Sequence, residues 1–352
     1  MTSTAVKHIE WIDKAKGLAI LCVVACHSCL PFEITGPIAE IARSGQYGVS
    51  LFFVISAYLT FLSLDKKTTK WTVKEYLKYF LHKLLRLIPV LYIAILWNVA
   101  QYFISPGRIP GSSVIIWKQA FFAATLTNGF SPSYFNPWYN WYLGVLVIFI
   151  ALAPAIHKWI NTSTRAVVFF FASLGIWWGT ILIQSHIGIK HTWFWDQWFP
   201  LQLPVLSLGI VFYYFFKKDE SKTSAKAESL FWSISSTCIL LSICTSVKIL
   251  PIHVAAGLLL SVISFYLLNR SGISAVWLKY LGEYSYGIYL FHGCLRAPFR
   301  FLFNMLDINR SSIITLLVYF VLILITSLVC AIIVNKYIER PFFRFTREKL
   351  KL

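Results

Sequence analysis

Residues 12–32 read IDKAKGLAILCVVACHSCLPF, an apolar stretch long enough to cross the hydrocarbon core of a bilayer as one helix. Lys16 and His27 interrupt it, eleven residues apart. Eleven residues make almost three helical turns, so both side chains lie on one helical face, about 16 Å apart along the axis. This spacing predicts Lys16 at the cytoplasmic edge and His27 about half-way through the core. Because a charged group at that depth costs about 2.5–3.5 kcal/mol to insert, the stretch indicates a functional site.

The whole chain has the composition of a membrane protein. It is 58 % hydrophobic and 13 % charged with a mean hydropathy of +0.67, whereas soluble domains carry about 25 % charged residues. Apolar windows of about 17–25 residues predict an all-α, polytopic fold with about ten transmembrane helices. The predicted spans are residues 12–32, 46–64, 84–104, 141–157, 166–186, 199–216, 230–247, 250–268, 277–299 and 312–335. The polar gaps are too short for another folded domain, so we predict one transmembrane domain over residues 1–352, with no fused extracytoplasmic domain.

The net charge of +18 is unevenly distributed along the chain. With a cytoplasmic N-terminus, 24 of the 32 Lys and Arg residues fall on the cytoplasmic side of the predicted spans. The positive-inside rule then predicts that both termini are cytoplasmic. Because the basic residues collect in alternate loops, the charge is typical of membrane topology and does not indicate nucleic-acid binding.

All seven cysteines lie inside or at the ends of apolar runs. This location favours small packing residues over disulfides or redox centres. Cys26 and Cys29 have the spacing of a CxxC pair, but no second pair supplies the other ligands of a zinc site. We therefore predict neither a metal site nor a tightly bound cofactor.

The first candidate site consists of Asp13, Lys16 and His27, whose side chains project within about 60° of one another on an ideal helix. A functional interpretation makes His27 a general base for a hydroxyl proton, because its usual pKa near 6.5 leaves imidazole mostly neutral at pH 7. Lys16 then meets an anionic ligand or Asp13. A structural interpretation makes His27 a hydrogen-bonded core residue and Lys16 a snorkelling anchor. The spacing by itself leaves both open.

A second basic site is predicted where the third span enters the membrane. Lys83 and Arg86 lie one helical turn apart, on the same predicted side as Lys16. They suit a cradle for phosphate groups, and they suit equally a positive-inside flank without a ligand. In the preceding span, small Ser56 and Ala57 among bulky residues predict a helix–helix contact.

Two predicted extracytoplasmic loops are rich in aromatic residues. The first includes Trp138, Asn140 and Trp141, and the second runs from Trp193 to Trp198. Aromatic faces stacked on sugar rings, with amides bonded to hydroxyls, would form a glycan-binding platform. An interfacial aromatic belt explains the same aromatic residues, although a belt does not require asparagine. The apolar stretch of residues 114–126 is too short to span and predicts a re-entrant or interfacial helix.

The ninth predicted span carries a second membrane-depth histidine. Ser285, Tyr289 and His292 follow at spacings of four and three, which places them on one helical stripe. His292 suits a structural hydrogen bond or the positioning of an acceptor hydroxyl or thioester. After the tenth span, Pro341 predicts the end of a helix.

Taken in chain order, the motifs of the predicted spans and loops resemble those of the acyltransferase-3 family of integral membrane acyltransferases. The resemblance covers essentially the whole chain. The first-helix signature of that family, a basic residue, ten positions and a histidine, matches Lys16 and His27. The remaining matches are Phe52-Phe53-Val54-Ile55-Ser56, the Lys83 to Pro89 segment, Trp141-Tyr142-Leu143, the Ser285 to His292 segment and Ile338-Glu339-Arg340-Pro341.

The resemblance implies transfer of an acyl group, usually acetyl from acetyl-CoA, to a hydroxyl of a cell-surface or lipid-linked glycan. It implies a multi-pass protein of the bacterial cytoplasmic (inner) membrane, with His27 as the catalytic residue and acetyl-CoA, a glycan acceptor and the lipid bilayer as partners. Two residues depart from the family pattern. Lys83 replaces the first arginine of an Arg-x-x-Arg pair and lacks its bidentate geometry, so Arg86 carries over more firmly. Ala57 replaces a glycine, without an expected effect on chemistry.

In the implied mechanism Lys16, Lys83 and Arg86 hold the donor phosphates at the inner face, and His27 activates the sugar hydroxyl. The alternative is a proton-coupled transporter of a sugar or lipid-linked substrate, because buried His, Lys and Asp also build proton relays. We find neither inverted repeats nor matched helix-interrupting residues, which favours the enzyme. These residues do not specify the acceptor sugar or the length of the acyl group. They do not specify the oligomeric state either, for which a homo-oligomer is one alternative.

Overall fold

A computed structural model describes residues 10–66, 71–104, 113–130, 137–188, 195, 197–216, 224–244, 250–270 and 275–350, and all regular structure in them is helical. The first eight α-helices are α1 (Glu10–Cys29), α2 (Pro37–Ser44), α3 (Gly48–Asp65), α4 (Val73–Leu85), α5 (Ile88–Ile104), α6 (Ser113–Ala124), α7 (Pro137–Trp159) and α8 (Ser163–His186). The others are α9 (Phe199–Phe216), α10 (Ala225–Cys244), α11 (Ile252–Arg270), α12 (Val276–Glu283), α13 (Ser285–Met305), α14 (Ile313–Val334) and α15 (Arg340–Leu350). Short 3₁₀ turns cover Gly45–Tyr47 and Asn128–Phe130.

Several of these helices are suited to a bilayer. Within the described residues, five helical stretches are long and apolar enough to cross a membrane, and α4 with α5, bent by 47°, makes a sixth if the pair is one span. The five are Pro37–Asp65, Trp141–Trp159, Ser163–His186, Phe199–Phe216 and Ile313–Lys349. The protein is thus an all-helical polytopic membrane protein, as predicted. The predicted count of about ten transmembrane helices stays a prediction. Helix α1, which was predicted to span, is not among the five stretches because it carries Asp13, Lys14 and Lys16.

Contacts between Cα atoms divide the chain into two compact units. The first consists of Met1–Phe52 and Ala256–Asn335, and the second of Phe53–Ala255 and Lys336–Leu352. The single domain proposed from the sequence stays a prediction.

In the first unit, α1 is the central helix and packs against α2, α12, α13 and α14. Glycines allow the backbones to approach closely. Gly282 of α12 lies against the backbone carbonyl of Asp13, and Gly17 of α1 lies against the carbonyl of Leu278. Small residues at such contacts are typical of packing between membrane helices, where the hydrophobic effect gives no net attraction.

In the second unit, α8 packs against α9 and α10, while α4 and α9 pack against α7. Gly209 of α9 lies against the carbonyl of Val54 and the side chain of Ala57, both in α3. The predicted helix–helix contact around Ala57 is therefore confirmed. Residues 114–126 also contain the predicted short helix, which is α6.

The ninth predicted span, residues 277–299, is wrong as a single helix. The chain leaves helical geometry at Tyr284 (φ −102°, ψ 7°), which separates α12 from α13. Gly282, two residues earlier, is the residue pressed against α1. The break thus lies two residues after a close contact with α1. Hydropathy carries no information about such a contact between helices.

The helix end predicted at Pro341 is also wrong. The chain continues from α14 through a π-helical turn at Asn335–Glu339 into α15. Pro341 lies in the first turn of α15, directly after this π-helical turn, so it falls at the junction of two helical segments and not in a helix interior.

Candidate active site

The first part of the predicted site lies at the start of α1. Lys16 Nζ donates to Asp13 Oδ1 over 3.1 Å, and Asp13 is buried while Lys16 is half-buried. The two residues are one helical turn apart, so the contact follows directly from their spacing. The neighbouring Lys14 instead pairs with Glu10 at 3.2 Å. Lys16 is the better placed of the two lysines to meet an anion, because part of its side chain is accessible.

The deeper part joins α1 to α13. His27 Nδ1 and His292 Nε2 are 2.7 Å apart, a hydrogen-bond distance. The two rings are nearly parallel, with an interplanar angle of 22° and centroids 4.9 Å apart. His292 Nδ1 lies 3.1 Å from the carbonyl oxygen of Ile288, one turn earlier in α13. Two histidines 265 residues apart in sequence are therefore one hydrogen-bonded pair.

An aromatic side chain of α13 lies next to the pair and links it to α3. Tyr289 lies beside His292, with ring centroids 5.8 Å apart, and its ring also contacts Phe52. Ser285 is buried one turn before Tyr289. The structure thus places Tyr289 next to the histidine pair, with Ser285 one turn earlier on the same helix.

Arg296 is a residue near the pair that the sequence analysis did not select as a candidate site residue. It follows His292 by one turn of α13, and its guanidinium lies within electrostatic range of both imidazoles. Tyr319 of α14 donates from its hydroxyl to the Arg296 carbonyl over 3.1 Å, which ties α13 to α14. The spacing of four from His292 was the sequence signal for this residue.

Lys83 and Arg86 belong to the second unit. Lys83 Nζ donates to Ser63 Oγ of α3 over 3.1 Å. The exposed Arg86 guanidinium carbon lies 5.8 Å from the centroid of the Phe343 ring in α15, and His82 contacts the same ring. Both cations thus have contacts within their own unit.

The predicted acceptor residues are only partly described. Trp138 and Asn140 are in the first turn of α7, and their side chains lie outside the described residues. Trp141 contacts the Phe53 ring, with centroids 5.7 Å apart. Buried Tyr142 shares a 2.7 Å hydrogen bond with Ser56. In the second aromatic loop, Trp193, Phe194 and Asp196 are outside the described residues, while the Trp195 and Trp198 rings are in contact.

These features define an integral membrane protein with a pair of hydrogen-bonded histidines in its first unit. A family model described as an acyltransferase domain, that of the acyltransferase-3 family, matches residues 9–336. The chain belongs to this family, and it is a membrane acyltransferase. No curated protein and no solved structure gives a significant match.

Proposed function

We propose that the protein is a membrane O-acetyltransferase that moves an acetyl group from cytoplasmic acetyl-CoA to a hydroxyl of a cell-surface or lipid-linked glycan, with His27 as general base. The observation that carries the proposal is the hydrogen-bonded pair of His27 and His292 within a chain of an acyltransferase family. His27 Nδ1 is occupied by this bond, and no described residue bonds to Nε2. Nε2 is thus the nitrogen that faces a substrate proton.

The chemistry assigned to His27 is one proton transfer. Its Nε2 takes the proton of the sugar hydroxyl while the hydroxyl oxygen bonds to the thioester carbonyl carbon. The carbon–sulfur bond then breaks, the sulfur leaves with the bonding electrons, and the proton on His27 neutralises the thiolate. No covalent intermediate on the protein is needed. The positive charge of Arg296, within electrostatic range of His27, supports stabilisation of the oxyanion that forms during the attack.

Lys16 is proposed to hold the anionic nucleotide end of the donor. Its ammonium is already oriented by Asp13 and is partly accessible, whereas Asp13 is buried. A charge-assisted contact with a phosphate oxygen contributes about 1.5–3 kcal/mol. The eleven-residue spacing to His27, about 16 Å along the helix, leaves room for the extended arm that joins the nucleotide to the thioester.

Lys16→Met is therefore expected to raise the KM for acetyl-CoA by about 10- to 100-fold, with a smaller effect on kcat. The substitution removes the charge and keeps most of the side-chain volume. Lys14→Met is the matched control, since Lys14 pairs with Glu10 on the same helix. Steady-state kinetics in membranes measure both variants. An equal rise in KM for both would contradict a specific contact with Lys16.

Lys83 and Arg86 are proposed as further donor-binding residues on the basis of the family motif. Arg86 is exposed and its planar group suits a bidentate phosphate contact, whereas Lys83 donates to Ser63. Arg86→Gln is accordingly expected to raise the KM for acetyl-CoA several-fold more than Lys83→Gln does. The same kinetic measurement tests this order, and a larger effect at Lys83 would reverse the assignment.

Trp138, Asn140 and Trp141 are proposed to bind the acceptor sugar. The protein itself is proposed to lie in the bacterial inner membrane. Mass spectrometry of surface glycans from cells with and without the gene tests the acceptor class. Additions of about 42 Da that depend on the gene are expected from acetyl transfer. Unchanged glycans in cells that make the folded protein would contradict the glycan acceptor.

Binding of the donor is tested separately with purified protein. Acetyl-CoA at one hundred times its Kd is expected to stabilise the folded state by about 2.7 kcal/mol. A thermal-unfolding series in detergent measures the shift, with adenosine and glucose as comparison ligands. The absence of any effect of acetyl-CoA would contradict the proposed donor.

A further inference from the structure

A chain of two hydrogen bonds runs from His27 through His292 to the Ile288 carbonyl. The carbonyl end of this chain determines which ring nitrogens donate and which accept. A carbonyl oxygen only accepts, so His292 Nδ1, 3.1 Å away, carries the hydrogen and donates it. In a neutral imidazole the other nitrogen then has a lone pair. His292 Nε2 is consequently the acceptor of the 2.7 Å bond, and His27 Nδ1 is its donor.

The same rule applied to His27 leaves its Nε2 without a proton. A hydrogen on Nδ1 means that the neutral ring has its lone pair on Nε2. In the opposite tautomer, Nε2 would carry a hydrogen, and two lone pairs would face each other across 2.7 Å. That arrangement is repulsive, so the contact with His292 selects one tautomer of His27.

We propose that His292 is a positioning residue that holds His27 in the Nδ1–H tautomer and so presents Nε2 as the base. This inference rests on the proposed function, because a base is needed only if a substrate hydroxyl is deprotonated. His292 itself is 3 % exposed, and it acts through His27. The Ile288 carbonyl is the fixed end of the chain of hydrogen bonds, since it belongs to the backbone of α13.

Packing around His292 keeps its ring in place. Its ring is nearly parallel to that of His27, with an interplanar angle of 22°, and also lies beside that of Tyr289. Gly287, five residues earlier, lies against Ala331 of α14, so α13 is held closely to its neighbour. His292 therefore sets both the tautomer and the ring orientation of His27, which are the two requirements of a general base.

Asparagine and glutamine at position 292 test the two hydrogen bonds of the His292 ring one at a time. The amide of glutamine reaches the place of Nε2, and its oxygen accepts from His27 Nδ1. The amide of asparagine reaches only the place of Nδ1, so it keeps the contact with Ile288 and loses the contact with His27. We expect His292→Gln to keep kcat within about 10-fold of the natural protein and His292→Asn to lower it by about 10²- to 10⁴-fold. The KM for acetyl-CoA should stay within about three-fold in both variants, because neither change touches Lys16.

Nitrogen-15 NMR of histidine-labelled protein reads the tautomer without any substrate. The His27 signals are identified by their loss in His27→Asn. We expect a protonated Nδ1 and an unprotonated Nε2 in the natural protein and in His292→Gln, and loss of this preference in His292→Asn. A protonated Nε2 in the natural protein, or equal kcat values for the two 292 variants, would overturn the proposal.

A double substitution tests whether His292 acts through His27. Adding His292→Asn to His27→Asn should lower the residual rate no further, since the two residues form one unit. An additional loss of ten-fold or more would overturn the proposal. The outcomes also separate the two hypotheses: an active His27→Asn variant contradicts the proposed base, whereas the NMR result reports on the tautomer whether or not the protein transfers acetyl groups.

Discussion

Replacing His27 with asparagine is expected to lower the rate of acyl transfer by about 10²- to 10⁴-fold, the usual contribution of a general base. Asparagine places an amide N–H near the position of Nδ1, so the donor to His292 is kept. It has no basic nitrogen at the position of Nε2, so the proton acceptor is lost. A transfer assay with radiolabelled acetyl-CoA in isolated membranes, normalised to the amount of folded protein, measures the change.

His253 offers a matched control for this experiment. It is another histidine of a predicted membrane span, in α11, and its Nε2 lies 3.1 Å from the carbonyl of Leu201. Glutamine at this position keeps a donor for that carbonyl, so His253→Gln is expected to transfer acetyl groups at a rate near that of the natural protein. A His27→Asn variant that is as active as His253→Gln would exclude His27 as the base.

Replacing Gly282 with alanine is expected to remove most of the folded protein. A Cβ at this position would overlap the backbone carbonyl of Asp13. Overpacking against side chains costs about 1–3 kcal/mol, and a backbone carbonyl has no rotamer that relieves the overlap, so the cost should exceed about 3 kcal/mol. Gly17→Ala should behave alike, because its Cβ would overlap the carbonyl of Leu278. Size-exclusion chromatography in detergent and thermal unfolding measure the loss.

Gly175 and Gly179 of α8 are the controls, since a Cβ there meets no atom within 4 Å. Alanine at either position should leave the protein folded and add up to about 1 kcal/mol through helix propensity. If Gly282→Ala were as stable as Gly175→Ala, the close contact between α1 and α12 would be wrong.

Much of the helical structure could be predicted because it depends on local sequence. The predicted span of residues 199–216 has the same bounds as α9, and the short apolar stretch before residue 126 is a helix. Two predictions failed where the neighbours of a residue decided the outcome. The chain breaks at Tyr284 beside a contact with α1, and Pro341 lies in the first turn of α15 instead of ending a helix.

The candidate site likewise has contacts that local sequence predicts and one contact that it does not. The contact between Asp13 and Lys16 follows from a spacing of three residues on one helix. The stripe of Tyr289 and His292 was predicted for the same reason, and their rings are neighbours. The partner of His292 could not be predicted, because nothing in the two segments records which faces of α1 and α13 meet.

By itself, the sequence determined that this protein is a helical membrane protein and that Lys16 and His27 share one helix face. Hydropathy and helical period are properties of neighbouring residues, so they need no knowledge of the fold. Only the tertiary structure decided that His27 meets His292, across 265 residues, and that Gly282 meets Asp13. Such contacts depend on how helices pack in three dimensions, where side-chain volumes and close backbone approach select one arrangement from many with the same hydropathy.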